Sequence, residues 1–238
     1  MKKSAEGPIA VITGGAGYVG TAITKMLIQN GWRVFALSRP GTISEETETY
    51  ECDITNETEL ATVIKKIASQ GQIGACIHAA ASPVVRKPLL KLTTEEFNAD
   101  VATALQGAFF LAKSIAPYLA PNGAFIGITT ASLEDKVPTA SVGSYIPAKA
   151  ALRGFLRTLA QELRSDGVRV YAIAPGFMPG GLNRDLPVNI RDFVSKKSDP
   201  GARTLGEITE TVFELCSNPN SYPSGISFGI PGKKTAQL

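Results

Sequence analysis

Short apolar runs typical of β-strands alternate with longer amphipathic stretches along the whole chain, and this alternation strongly limits its fold. The strand-like runs are IAVIT, RVFALS, CIHAA, AFIGITT and VRVYAIAP. Strands separated by helical segments pair in parallel, and helices then cover both faces of the sheet. The sequence therefore predicts a doubly wound α/β fold. With 238 residues, of which 44% are hydrophobic, a single domain over residues 1–238 is expected.

The stretch VITGGAGYVG places four glycines between the first strand and the first helical segment. Glycines permit a tight turn here and let the main chain approach a pyrophosphate, which the N-terminus of the next helix stabilises. Glycines also end strands for structural reasons alone, but the other motifs along the chain, described below, favour a dinucleotide site. The predicted contacts from this turn are Gly14, Gly17, Tyr18 and Val19.

The second and third strands end where a dinucleotide fold holds the adenosine. A nearby acid binds the ribose of NAD there, whereas a cation binds the 2′-phosphate of NADP. Ser38 and Arg39 end the second strand without an acid, which favours NADP(H) over NAD(H). Arg39 can also be read as a solvated charge. Asp53 can accept from the adenine amino group, and its alternative role is to cap the next helix.

Tyr145 and Lys149 are four residues apart at the start of a predicted helix, so their side chains share one face. A lysine ammonium beside a phenol favours the phenolate and is expected to lower the tyrosine pKa toward the working range. Such a pair can protonate an alkoxide or deprotonate an alcohol. This spacing is common on surface helices, so it indicates a catalytic pair only in combination with the preceding glycine turn.

Together these segments resemble the short-chain dehydrogenase/reductase family along essentially the whole chain. The matching motifs are TGGAGYVG, CDIT, HAAAS, YIPAK and APGF. The resemblance implies a seven-stranded parallel Rossmann sheet and a Ser/Tyr/Lys catalytic site. In the family the Tyr is the acid–base, the Lys holds the nicotinamide ribose, and a hydroxyl orients the substrate carbonyl. The further cofactor contacts that the motifs imply are Ile54, Ala79, Ala80, Pro175, Gly176 and Phe177.

Several positions depart from the family pattern. The turn reads TGxxGxxG, with Tyr18 at an expected glycine, as in the extended branch that includes nucleotide-sugar epimerases. The short C-terminal part instead resembles the compact branch. Ala104 aligns with an Asn that helps relay protons through a water to the Lys, and Gly180 aligns with a Thr that contacts the carboxamide. His78 aligns with the first residue of the Asn-Ala-Gly segment and is interpreted as a packed or hydrogen-bonded structural histidine.

Two hydroxyls compete for the third catalytic position. Alignment from the strand indicates Thr130, whereas alignment backward from Tyr145 indicates Ser132. We favour Ser132, because the loop to the tyrosine has to deliver both hydroxyls to one carbonyl oxygen. Thr130 then becomes a strand-end residue near the nicotinamide.

Composition excludes several other classes of protein. No apolar run approaches the ~20 residues of a membrane span, and the N-terminus lacks a signal-peptide pattern, so a cytoplasmic protein is expected. The 24 basic and 21 acidic residues form no basic stripe, which argues against nucleic acid. Three dispersed cysteines predict free thiols and no metal site.

The sequence therefore predicts an NADP(H)-dependent carbonyl reductase or alcohol dehydrogenase. Residues 177–202, which lose periodicity, are predicted to form a substrate loop, and Ser82 to Val85 to shape the pocket. The resemblance implies a homodimer or homotetramer paired through helices near 95–120 and 144–165. The alternatives are a non-catalytic dinucleotide sensor or scaffold and, disfavoured by length, an epimerase or dehydratase.

Overall fold

The computed structural model describes residues 7–44, 46–134, 141–197, 205–218, 221–229 and 234–237. Within these ranges, eight strands form one sheet in the order β3-β2-β1-β4-β5-β6-β7-β8. The strands are β1 (Ile9–Thr13), β2 (Arg33–Ser38), β3 (Glu48–Glu51), β4 (Ile73–His78), β5 (Leu119–Ile128), β6 (Arg169–Ala174), β7 (Ile226–Gly229) and β8 (Lys234–Gln237). The first seven are parallel, as predicted. β8 adds an antiparallel edge strand that the sequence did not predict.

Helices cover both faces of this sheet. They are α1 (Tyr18–Gln29), α2 (Glu57–Ala68), α3 (Thr94–Val101), α4 (Gly107–Ile115), α5 (Tyr145–Glu162), α6 (Val188–Lys197) and α7 (Leu205–Ser217). One apolar layer packs α1 and α7 against the sheet, for example through Leu27 and Val212. The other layer packs α2, α4 and α5, for example through Ile64, Leu111 and Leu156. Among the described helices none is long and apolar enough to cross a bilayer.

The strand order reverses at β1, which lies between β2 and β4. Thr13 at the end of β1 pairs with Leu37 on one side and with His78 on the other, so the carboxyl ends of the three strands lie level. The connections from β1 and β4 leave toward opposite sides of such a sheet and open a crevice between them. This crevice is where a doubly wound fold binds its ligand.

A π-helical segment, Ala102–Gln106, joins α3 to α4. The N–H of Gly107 bonds to the carbonyl of Ala102, five residues earlier rather than four. Such wide turns are rare and frequently occur at functional sites. Ala104 lies in its centre and is buried.

The segment predicted to be an irregular loop contains regular structure. A 3₁₀ turn covers Gly181–Asn183, and α6 follows it. α6 is short and follows a run rich in proline and glycine, which explains why the sequence was read as a loop here. Residues 198–202 of the predicted loop lie outside the described residues.

Candidate active site

A cleft of about 1830 Å³ opens at the carboxyl ends of the strands, at the reversal of strand order. It exceeds the ~300–1,000 Å³ of a typical small-molecule pocket, so it has room for an extended cofactor together with a substrate. All of the site residues predicted from the sequence line it. They are Gly14, Gly17, Tyr18, Val19, Ser38, Arg39, Asp53, Ile54, Ala79, Ala80, Ser132, Tyr145, Lys149, Pro175, Gly176 and Phe177.

The glycine turn between β1 and α1 is packed too closely for side chains. Gly14 has a φ of 68°, and a Cβ on it would lie 2.8 Å from the Cα of Ala80. A Cβ on Gly20 would lie 2.2 Å from the carbonyl oxygen of Gly14. The glycines therefore serve main-chain packing between β1, α1 and the end of β4, and they also leave bare backbone facing the cleft.

The N-terminus of α1 is open to an anion. Gly17 is its N-cap, no side chain caps the first turn, and no acidic residue lies in that turn. The unpaired N–H groups and the positive end of the helix dipole favour a phosphate at such a position. Together with the bare glycine backbone, this end of the cleft fits the pyrophosphate of a dinucleotide.

Tyr18 contacts the loop that follows β6. A Cβ on Gly180 would lie 2.7 Å from Cζ of Tyr18, and a Cβ on Gly181 would lie 3.0 Å from its Cβ. The ring thus lies directly against two glycines across the cleft. The aromatic residue at the expected glycine position therefore links the cofactor turn to the predicted substrate loop.

Ser38 and Arg39 occupy the adenosine end of the cleft. The Oγ of Ser38 is buried and accepts a 3.4 Å hydrogen bond from the main-chain N–H of Ala16. Arg39 is exposed and forms no ion pair with any described residue. Its guanidinium is therefore available to an anionic ligand.

Asp53 lies after β3 and forms a local turn. Its Oδ1 accepts hydrogen bonds from the N–H and the hydroxyl of Thr55, at 2.9 and 2.8 Å. The helix that follows is capped instead by Asn56, whose side chain accepts from the N–H of Glu59. The alternative reading of Asp53 as a helix cap is therefore wrong. Ile54 beside it is buried and touches Gly107 of α4.

Tyr145 begins α5, and Lys149 follows one turn later on the same face, as the spacing predicts. The Nζ of Lys149 lies 6.0 Å from the centre of the Tyr145 ring. It donates a 2.7 Å hydrogen bond to the main-chain carbonyl of Ile128. Lys149 is only 3% exposed, and burial lowers its pKa to about 8, an effect that Asp100 partly offsets.

The tyrosine pKa does not follow the sequence-based expectation. Burial raises the pKa of Tyr145 above its usual value of about 10, a hydrogen bond with Thr130 lowers it, and the charge of Asp100 raises it again. The net direction is upward. The predicted lowering by Lys149 is therefore wrong for this arrangement, because loss of solvent outweighs the favourable contacts of the phenolate.

The hydroxyl beside Tyr145 belongs to Thr130. Its side chain is buried and interacts with the Tyr145 phenol closely enough to lower the pKa of Tyr145. Its Oγ1 also accepts from the N–H of Ser132 at 3.3 Å. Ser132 lies in the 3₁₀ turn Ala131–Glu134, lines the cleft, and is not among the groups that shift the pKa of Tyr145. The interaction of Thr130 with Tyr145 favours the strand-based alignment over the one anchored at the tyrosine.

His78 is fully buried at the end of β4. Its Nδ1 lies 2.9 Å from the hydroxyl of Thr13 on the neighbouring strand. Burial lowers its pKa to about 3, with a smaller lowering effect from Lys149, while main-chain groups of Ala104 and Thr103 raise it. The ring is therefore neutral at physiological pH. This agrees with the interpretation of a hydrogen-bonded structural histidine.

The loops after β4 and β6 are tied together at the substrate end. Arg86 donates to the carbonyl of Leu182 at 3.1 Å and to Oδ1 of Asn183 at 2.9 Å. Sequence reasoning placed Ser82 to Val85 at the pocket but did not single out Arg86. A cation next to a pocket segment was the available signal, and its partner lies almost a hundred residues away in the chain.

Residues 15–230 match the sequence pattern of a family described as enoyl-(acyl carrier protein) reductase, which spans most of the chain. The chain belongs to the short-chain dehydrogenase/reductase family. Family membership confirms the prediction of an oxidoreductase and favours it over the sensor and epimerase alternatives.

Relatives of known sequence match along nearly their whole length. The 3-oxoacyl-[acyl-carrier-protein] reductase FabG of Thermotoga maritima is 26% identical, and the match covers 95% of this chain and 97% of the relative. Momilactone A synthase of Oryza sativa subsp. japonica is 27% identical, covering 95% of this chain and 89% of the relative. The chain therefore spans most of the length of both enzymes.

Two solved structures show the same fold. An NAD⁺-bound xylitol dehydrogenase superposes with a TM-score of 0.83 at 20% identity, covering 97% of this chain and 99% of that chain. A 3-ketoacyl-(acyl-carrier-protein) reductase from Brucella melitensis, complexed with NADH, gives 0.78 at 20% identity, covering 95% and 97%. The predicted single-domain Rossmann architecture is thereby confirmed.

Proposed function

We propose that this protein is an NADP(H)-dependent carbonyl reductase. The observation that carries the proposal is the grouping of the Tyr145 phenol with the Thr130 hydroxyl and the Lys149 ammonium in one cleft with the open N-terminus of α1. The nicotinamide dinucleotide would supply the hydride. The chain's own residues would orient the substrate carbonyl and donate a proton to its oxygen.

Tyr145 is the proposed proton donor. Since its pKa is raised above the usual value, the phenol keeps its proton throughout the physiological range. A protonated phenol is the form needed to neutralise an alkoxide as it develops. In the reverse reaction, alcohol oxidation, the same group would act as the base.

Thr130 is the proposed orienting hydroxyl, in preference to Ser132. Because its hydroxyl interacts with the phenol, the two groups are near enough for one carbonyl oxygen to accept a hydrogen bond from each. Lys149 would hold the ribose of the cofactor through its ammonium, which is protonated at neutral pH because its pKa is about 8.

The preference for NADP(H) is proposed from Arg39. The guanidinium is exposed at the adenosine end of the cleft and forms no ion pair with described residues. A 2′-phosphate would provide its partner, through a charge-assisted hydrogen bond. Two of the structural relatives carry NAD⁺ or NADH, so cofactor choice needs direct measurement.

The substrate is proposed to be a small molecule with a ketone or aldehyde group. The names of the relatives point to 3-oxoacyl thioesters, and the xylitol dehydrogenase points to polyols and their ketones. We also expect a cytoplasmic homodimer or homotetramer. Phe97 of α3 and Phe109 of α4 expose 39% and 47% of their surface, which fits pairing of these helices between subunits.

The deciding experiment follows NADPH oxidation against 3-oxoacyl thioesters, aldehydes, ketones and keto-esters, with NADH in parallel. The Tyr145→Phe variant, prepared identically, controls for contaminating reductases. Turnover by the natural sequence and none by the variant supports the proposal. If the protein binds NADPH but neither form oxidises it with any carbonyl, the proposal is overturned in favour of a non-catalytic dinucleotide-binding protein.

A further inference from the structure

An arginine joins the two loops that border the substrate end of the cleft. The guanidinium of Arg86, in the loop after β4, donates to the carbonyl of Leu182 at 3.1 Å and to Oδ1 of Asn183 at 2.9 Å. Both partners lie in the loop after β6, and all three residues line the cleft. In the sheet, β5 lies between β4 and β6. The arginine bridge therefore connects the two loops that flank the end of β5, from which the chain continues to Thr130.

The base of the arginine bridge is held beside the start of α5. The N–H of Gly143, two residues before Tyr145, donates a 3.0 Å hydrogen bond to the carbonyl of Lys87. A Cβ on Gly143 would also lie 2.8 Å from the carbonyl oxygen of Val85. The backbone on either side of Arg86 thus packs against the segment that enters α5. Main-chain contacts therefore tie the position of Arg86 to the start of the helix that carries the proposed proton donor.

The other end of the bridge is anchored within the loop after β6. The side-chain amide of Asn183 donates a 2.8 Å hydrogen bond to the carbonyl of Met178, and its main-chain N–H donates to the carbonyl of Gly180 at 3.2 Å. Met178 packs against the apolar layer of α1 and α7. The turn over residues 178–183, which also contacts the Tyr18 ring, is therefore connected through Asn183 to the guanidinium of Arg86.

The chemistry of the bridge makes it a reversible link. Both partners of the guanidinium are neutral oxygen atoms, and Arg86 forms no ion pair with any described residue. The arginine is exposed, so water competes for the same hydrogen bonds. A link of this kind holds a loop in one position and still allows it to open locally.

We infer that Arg86 is a positioning residue that holds the turn over residues 178–183 in place at the substrate end of the cleft. Its bridge fixes this turn relative to the segment that leads into Tyr145, so the pocket is shaped before a substrate enters. The meaning of this role for substrate binding rests on the proposed carbonyl reduction. The bridge joins protein groups only, so its effect on the turn can be measured without a substrate.

A general contribution to folding stability is the competing explanation, and four variants separate it from positioning. Arg86→Ala removes both hydrogen bonds of the bridge, whereas Arg86→Lys keeps a cation that can donate to one acceptor. Lys87→Ala is the matched control, because it removes one positive charge from the same segment and breaks a contact with Glu96 instead. Asn183→Ala removes one acceptor of the guanidinium from the opposite side.

The first measurement is hydrogen exchange of the cofactor-free protein, followed by mass spectrometry on peptides that cover residues 178–186. Arg86→Ala should speed exchange there by about fivefold or more, the order of effect expected from losing a hydrogen bond that restrains the turn. Arg86→Lys should show a smaller change, and Lys87→Ala none. If Arg86→Ala folds poorly, Asn183→Ala makes the same comparison with the arginine intact.

The second measurement is steady-state kinetics of carbonyl reduction. In Arg86→Ala the KM for the carbonyl substrate should rise about fivefold or more, because the pocket is no longer held in its binding shape. The KM for NADPH should stay within about twofold, since the bridge lies at the substrate end of the cleft. A general loss of stability would instead lower the thermal unfolding midpoint and reduce the amount of active enzyme without this selective change.

Unchanged exchange over residues 178–186 in both Arg86→Ala and Asn183→Ala overturns the inference. The same acceleration in Lys87→Ala, or an unchanged KM for the carbonyl substrate in active Arg86→Ala, overturns it as well. Should no carbonyl be reduced by any form, the proposed function fails, while the exchange measurement still decides whether Arg86 holds the turn.

Discussion

The ammonium of Lys149 donates a 2.7 Å hydrogen bond to the main-chain carbonyl of Ile128, the last residue of β5. This bond joins α5 to the strand that delivers Thr130 two residues later. The helix carrying Tyr145 is thus held against the end of the sheet by a main-chain contact. The relative positions of phenol, ammonium and hydroxyl therefore depend on the rigid part of the fold, which is how precise catalytic geometry is kept.

Replacing Tyr145 with Phe should abolish carbonyl reduction, because it removes the proton donor while keeping the ring. Cofactor affinity should stay within a few-fold, since the phenol contributes little to dinucleotide binding. Single-turnover kinetics and a fluorescence titration with NADPH measure the two effects. Tyr118→Phe, on an exposed tyrosine outside the cleft, is the matched control. Retention of near-normal turnover by Tyr145→Phe would rule out the proton-donor role.

Thr130→Val should lower kcat/KM by about a hundredfold, on the order of one oriented hydrogen-bond donor. Ser132→Ala should stay within a few-fold, because Thr130 is the hydroxyl that interacts with the Tyr145 phenol. Steady-state kinetics on the same carbonyl substrate compare the two. The opposite result would restore the alignment anchored at the tyrosine and assign the role to Ser132.

Arg39→Ala should weaken NADPH binding by roughly 1.5–3 kcal/mol, the range of a hydrogen bond to a charged group, and leave NADH binding little changed. Isothermal titration calorimetry with both cofactors provides the measurement. Lys91→Ala removes an exposed positive charge outside the cleft and controls for net charge. Equal losses for NADPH and NADH would contradict a contact with the 2′-phosphate.

His78 should make the protein acid-sensitive. Its folded pKa of about 3 lies below the unfolded value of 6.5, so the unfolded chain binds more protons between these pH values. The effect of His78 on the free energy of unfolding is therefore negligible above about pH 6.5. As the pH drops toward 3, this free energy falls, by on the order of 3 kcal/mol at about pH 4.5. Urea denaturation near pH 7 and near pH 4.5 measures this loss.

His78→Asn is the comparison for the acid effect, because asparagine does not titrate and can still bond the Thr13 hydroxyl. The variant should lose less stability on acidification than the natural protein. An identical loss in both proteins would mean that other groups, such as the carboxylates, cause the acid sensitivity.

Gly180→Ala should disturb cofactor binding through Tyr18, because the added Cβ would lie 2.7 Å from the ring. We expect the KM for NADPH to rise several-fold. The double variant with Tyr18→Ala should show a smaller effect than the two single changes predict, since contacting residues are energetically coupled. Gly154→Ala, where a Cβ meets nothing within 4 Å, is the control. Additive effects would disprove the contact between turn and loop.

The sequence predicts the architecture well because its signals are local. The alternation of strands and helices and the glycine turn each depend on residues close together in the chain. The same holds for the Tyr145 and Lys149 pair, which a single helical turn brings together. β8 was missed because an edge strand of four residues has too little pattern to recognise.

The remaining features depend on contacts between distant segments. The choice between Thr130 and Ser132 depends on where β5 ends relative to α5, which spacing alone does not determine. The raised pKa of Tyr145 depends on its loss of solvent in the folded protein, so the nearby lysine alone predicted the wrong direction. In the sequence, Asp100 looks like an ordinary polar residue of a surface helix. Its buried contact with Ser144 at the start of α5 is visible only in the structure.

The π-helical turn at Ala102–Gln106 sets the rotational phase between α3 and α4. Each residue of an α-helix turns the chain by about 100°, so losing one residue here would swing all of α3 by about that angle. Asp100 would then leave the side of Ser144, while the apolar contacts of α4 stayed in place. The number of residues in this segment, and not only their chemistry, is therefore under constraint, and a single deletion there would break the hydrogen bond between Asp100 and Ser144 without unfolding the sheet.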